Sequence, residues 1–185
     1  MKLHEFLKVK TALNDDLLSD LVSKFKKKHL KTGRFLLRKG QIADSYWFLE
    51  DGFCRSYYVK NDVEHTVWIE APGELVCEIK SLRLQIPTEY SIQAMEPITY
   101  YTIKSEVLEQ LVSESAELQA FMVRLWETRF IIAMDGLRAF QTMGAKERYG
   151  YLLKNFPNME KLTLYQLANI LGITQSSLSR IRRLK

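Results

Sequence analysis

The sequence predicts an α+β fold: an antiparallel, jelly-roll-like β-roll, then a long central helix, then a small C-terminal helix-turn-helix unit. Three observations carry that expectation. Between about residues 30 and 103, short runs of aromatic and β-branched residues are punctuated by Gly33, Gly40, Gly52 and Gly73, the pattern of strands joined by turns. After Lys104 the apolar spacing becomes helical, with Leu111, Leu118, Leu125 and Ile132 seven apart. From Leu162 onward, two short apolar helices flank Gly172. The expected units are residues 1–110, 111–142 and 143–185.

The elements follow in order. Asn14 suits a helix N-cap, with Asp15 and Asp16 in the first turn and Leu17, Leu18, Leu21, Val22 and Phe25 at helical spacing. Lys26 to Lys28 read as the solvated end of that helix. The runs Phe35–Leu37, Tyr46–Leu49, Cys54–Val59, Val63–Ile69 and Tyr90–Ala94 read as strands, and Asn61-Asp62 as the turn of a hairpin. The heptad-like run then predicts one long helix, with Phe121, Trp126 and Phe130 widening its apolar face. Its seam is expected to pair two copies of the chain through Leu118, Met122, Leu125 and Ile132. Gln141 to Gly144 supply a hinge.

The C-terminal stretch carries the most chemistry. Thr163 and Gln166 have the spacing of a capping box. Leu164, Leu167, Ala168 and Leu171 mark one buried face, Gly172 supplies a tight turn, and Thr174 can cap a second helix. Leu178, Ile181 and Leu184 bury that helix against the first, which is the helix-turn-helix arrangement. Gln175, Ser176, Ser179, Arg180 and Arg183 must then point outward. Arg can clasp guanine O6 and N7, and Gln can pair with adenine. Hydroxyls of Thr174 and the serines suit phosphates or bases at a helix N-terminus. No Asp or Glu occurs from Leu162 to Lys185.

Charge agrees with that placement. The net charge of +5 is mild, but residues 146–185 hold eight Lys/Arg against two acids, and the remainder is close to neutral. A polyanion, double-stranded DNA, is the expected partner of that end. The rest of the composition excludes other classes. Two cysteines, Cys54 and Cys77, are too few for a four-thiolate metal site and read as free thiols in strands. The three histidines are scattered, no nucleophile–base motif is present, and neither an enzyme nor a cofactor is expected. No apolar run reaches the length of a membrane span, and the start lacks the apolar core of an export signal. A soluble, cytoplasmic chain is the expectation.

Leu167-Ala168, Gly172-Ile173-Thr174 and Leu178-Ser179-Arg180-Ile181 together resemble the Crp/Fnr superfamily of bacterial transcription regulators. The resemblance spans nearly the whole length. It implies a cyclic nucleotide-binding-like roll, a dimer helix and a winged helix-turn-helix, with a small-molecule effector, a homodimer and RNA polymerase as partners. In the roll, Pro72-Gly73-Glu74-Leu75 resembles the family segment whose Glu engages a ribose hydroxyl. The family's following Arg, which holds the cyclic phosphate, is matched here by Thr88, with Glu89 beside it. Loss of a bidentate charge-assisted contact there implies a roll that does not hold cyclic AMP, so Gly73, Glu74, Thr88 and Glu89 form at most an altered effector pocket. Arg83 stands near enough to be an alternative phosphate partner. Residues 157–162 leave little room for a wing, whose phosphate contacts Arg148, Lys154 or Lys161 would replace. The rival expectation is a small-molecule or cyclic-nucleotide sensor whose C-terminal hairpin binds a protein.

Overall fold

In the computed structural model, which describes residues 2–156 and 159–183, two short helices precede the roll. The first, α1 (Leu3–Lys10), buries Leu3, Phe6 and Leu7. The second, α2 (Asp15–Lys24), starts where the Asn14 side chain accepts from Leu17 N at 2.9 Å.

The eight strands are β1 (Lys26–Leu30), β2 (Phe35–Leu37), β3 (Ser45–Asp51), β4 (Cys54–Lys60), β5 (Val63–Glu70), β6 (Leu75–Val76), β7 (Ser91–Ala94) and β8 (Ile98–Lys104). A short helix, α3 (Ile79–Leu84), lies between β6 and β7. The strands form two four-stranded sheets, ordered β1-β8-β3-β6 and β2-β7-β4-β5, and every pairing is antiparallel. Asn61 and Asp62 both take positive φ and close the β4–β5 hairpin, as a two-residue primed turn requires.

Strand β3 is buried along most of its length rather than on alternate residues. A strand covered on both faces loses its alternation. Here Phe6 of α1 lies over Phe48, ring centroids 4.9 Å apart, so helices cover the outer face of this sheet.

Lys26 to Lys28 do not end a helix. They form β1, which pairs with β8 at one edge of its sheet, and all three are exposed. Lysines on an edge strand discourage pairing with another chain, which accounts for the run.

Helix α4 (Ser105–Glu114) ends at Ser115, whose hydroxyl accepts from Leu118 N at 3.3 Å and starts α5 (Ala116–Thr142). The boundary expected at 110/111 therefore falls inside α4. At 27 residues, α5 is about 40 Å long. Its heptad seam exists but faces inward. Leu118 and Met122 are buried in the roll's own core and Leu125 packs against it, with Ile132 half-buried on the same face. Leu118 and Met122 are thus taken by intramolecular packing, which corrects the expected pairing seam at those two positions, while Leu125 and Ile132 are only half-buried. A second apolar stripe, Val123, Phe130, Met134 and Leu137, is exposed on the outer side.

Met143 and Gly144 separate α5 from α6 (Ala145–Asn155), which places the break within the expected hinge. A single 3₁₀ turn, Met159–Lys161, leads onward; among the described residues no strand lies after β8.

Candidate nucleic-acid interface

The last two helices are α7 (Leu164–Leu171) and α8 (Gln175–Arg183). The capping box forms as its spacing demands. Thr163 Oγ1 accepts from Gln166 N at 3.2 Å, and Gln166 Oε1 accepts from Thr163 N at 2.9 Å. Gly172 takes φ +65, the left-handed turn that a side chain rarely adopts, and Ile173 N donates to Ala168 O at 3.0 Å. Thr174 Oγ1 then accepts from Ser177 N at 3.2 Å and starts α8.

Burial sorts α8 into two edges. Leu178 is fully buried and Ile181 packs onto the same cluster as Leu167, Ala168 and Leu171. Leu184 and Lys185 lie outside the described residues. Gln175, Ser176, Arg180, Arg182 and Arg183 are exposed, and Ser179 is half-buried. Thr174 is exposed too, yet its hydroxyl is engaged by the cap and lies 2.9 Å from both Ser176 Oγ and Ser177 Oγ. The structure therefore brings the Gln/Ser/Arg edge together on one solvent-facing helix, and no Asp or Glu occurs from residue 162 on. Lys154 is exposed as well, whereas Arg148 is half-buried and turned toward the inside.

Sequence reasoning missed how this unit is held. Asn169 Nδ2 donates to Glu64 O at 2.8 Å, and Thr66 Oγ1 donates to Asn169 Oδ1 at 2.5 Å. Gln166 Nε2 donates to Met95 O at 2.9 Å. Phe53, Ile69 and Met95 of the roll share one apolar cluster with the C-terminal helices. So α7 docks on the roll while α8 keeps its polar edge free. The partners are some 71 to 105 residues away along the chain, and nothing in the local spacing announces them.

The residues expected to form an effector pocket separate into two places. Gly73 and Glu74 line a cavity of about 450 Å³ between the roll and α5, together with Lys10, Arg124, Thr128 and Arg129. Thr88 is buried elsewhere, bonded through its backbone to Gly40 and Gln41, and Glu89 is exposed. Neither lines that cavity. Arg83 does not replace them, since it pairs with Glu109 at 3.0 Å. Glu74 is itself engaged, accepting from Ala71 N at 3.0 Å and pairing with Arg129 at 3.3 Å.

Arg129 ties α5 to the roll. Besides Glu74 it reaches Glu70 at 3.3 Å and Leu75 O at 2.9 Å. Burial outweighs that pairing and pushes the Glu70 carboxyl up from 4.5 to about 7. The folded chain then holds this proton more tightly than the unfolded chain does. The resulting stability is complete below pH 4.5 and is lost as pH rises through 7. Glu70→Gln should flatten that fall and leave the protein more stable at pH 8, measured by urea unfolding across the range. Burial also pushes both thiols up, Cys77 to about 12. Cys54 lies in β4 as expected, but Cys77 follows β6 outside any strand; such protonated thiols are poor nucleophiles and metal ligands. No helix among the described residues is long and apolar enough to cross a membrane.

Comparison with known proteins adds to this geometry. Residues 27–115 match the cyclic nucleotide-binding domain family. FixK2 from Bradyrhizobium japonicum is 14% identical, with a TM-score of 0.74 over 86% of this chain and 83% of that one. A mutant of CooA from Carboxydothermus hydrogenoformans is 18% identical, with a TM-score of 0.73 over 99% and 83%. A structure described as a Crp/Fnr-family transcriptional regulator, from Eubacterium rectale, is 20% identical, with a TM-score of 0.70 over 93% and 83%. No curated protein matches the chain.

Proposed function

We propose that this chain, Crp/Fnr-like in fold and similar over residues 27–115 to the cyclic nucleotide-binding domain family, is a sequence-specific DNA-binding transcription regulator. The observation that carries this reading is the exposed, acid-free edge of α8, with Gln175, Ser176, Arg180 and Arg183 on the second helix of a helix-turn-helix. A helix of that kind reads base edges from the major groove. Exposed Arg182 and Lys154 supply charge for phosphates.

The chain acts as a homodimer. Val123, Phe130 and Leu137 recur every seven residues on the outer side of α5, and Met134 fills the stripe between them. An exposed apolar stripe at that period is the surface a second α5 would bury. A roll that does not take cyclic AMP is supported by the pairing of Glu74 with Arg129 and by Thr88 standing where the family resemblance puts an arginine. An effector of other chemistry, or a partner protein, shifts the C-terminal unit between poses only through a difference in affinity for them.

Selection of bound sequences from a random duplex library tests the reading. The expected product is a near-palindrome with half-sites one duplex turn apart, roughly 34 Å. Recovery of no enriched sequence, or of a single unpaired half-site, would contradict it.

A further inference from the structure

A second cavity, of about 430 Å³, lies where β5, the C-terminal half of α5 and the helices of the C-terminal unit meet. Its walls are nearly all apolar, with Val67, Trp68, Phe140, Phe156 and Ile170 among them. Among the described residues one charged side chain lines it, Arg148. The Nε of Arg148 is shut off from solvent and has no hydrogen-bond partner. Its guanidinium carbon stands 5.1 Å from the centre of the Phe140 ring, and no carboxylate pairs with it among the described residues. A buried guanidinium N–H without an acceptor costs free energy, and an anion entering the cavity would supply one.

Gly136 is the second, independent observation. It sits inside α5, where glycine is less favourable than alanine. Close packing does not explain it, since a Cβ built there would meet nothing within 4 Å. It lines the cavity and keeps that wall open. We propose that this cavity is a ligand site for a small amphipathic anion, a monocarboxylate with an apolar body, seated with its carboxylate on Arg148 and its chain against Trp68 and Ile170. The volume and the lining suit a ligand of that size and polarity. A second copy of this chain is a poorer occupant. Ile132, Gly136 and Ala139 line the cavity from the more buried side of α5, and although Leu137 of the outer stripe reaches its rim, that apolar stripe carries no acceptor for Arg148 Nε.

The site stands without reference to DNA. Only its consequence rests on the regulator reading: an occupant wedged between α5 and α7 would bias how the C-terminal unit docks.

Calorimetric titration of the full chain, with no duplex present, tests the site. Decanoate serves as the probe and the decyltrimethylammonium cation as its opposite-charge control. Decanoate should bind once per chain and the cation should not. Arg148→Gln should weaken decanoate by about tenfold or more, the loss of one charge-assisted bond. Gly136→Leu should abolish binding while thermal melting shows the fold retained, because leucine favours a helix. Absence of saturable heat, equal binding of the cation, or unchanged decanoate binding by both variants would overturn the proposal. So would a change in chain association, rather than in probe binding, when Gly136 or Arg148 is replaced.

Discussion

Phe130→Asp should leave the chain folded but monomeric, and weaken its hold on a two-half-site operator by about 10²- to 10⁴-fold. Phe130 is 65% exposed within the chain, so its replacement removes little of the intramolecular core. In a two-fold pair the same stripe meets itself. One substitution therefore places two carboxylates in an apolar seam, each losing its water without gaining a partner. The loss on DNA follows from linkage rather than from any lost contact. With both recognition helices on one body, the second half-site is engaged at a high effective concentration, and a monomer forfeits that gain. Sedimentation and a mobility-shift titration on the same preparation check both parts. An unchanged dimer mass would place the pairing surface elsewhere.

That seam also marks where the sequence stopped being informative. The spacing in α5 supports two apolar stripes, Leu118/Met122/Leu125/Ile132 and Val123/Phe130/Met134/Leu137. Periodicity reports that a face is apolar, not what covers it. The start of the first stripe is taken by the roll, where Leu118 and Met122 join the cluster around Phe121, and the second is left outward. Strands β2, β3, β4, β5 and β7 were legible because aromatic and β-branched runs lie between turn residues. Strand β6 is two residues long, too short for any period, and β1 is disguised by its lysines. The helix-turn-helix was the clearest segment. Its box at Thr163/Gln166, the left-handed Gly172 and the cap at Thr174 are local devices that need no distant partner. The docking of Gln166 and Asn169 on the roll depends on such partners, as does the division of Glu74 from Thr88 and Glu89. Local spacing could reveal neither.

Arg180 carries the second large effect. It is exposed on α8 with no ion-pair partner among the described residues, so its guanidinium is free to meet a base edge. A bidentate pair with guanine O6 and N7 discriminates by about 1–3 kcal/mol against a wrong base. An arginine that met only phosphate would lower affinity for every duplex alike. Because the side chain is exposed, Arg180→Ala should leave the fold and the dimer intact. The measurement is the dissociation constant of the wild-type and Arg180→Ala chains, at one fixed salt concentration, on the selected operator and on a scrambled duplex of equal length. Base reading by α8 predicts a loss of roughly 5- to 150-fold on the operator and little change on the scrambled duplex. Equal losses on the two duplexes, or none on either, would contradict it.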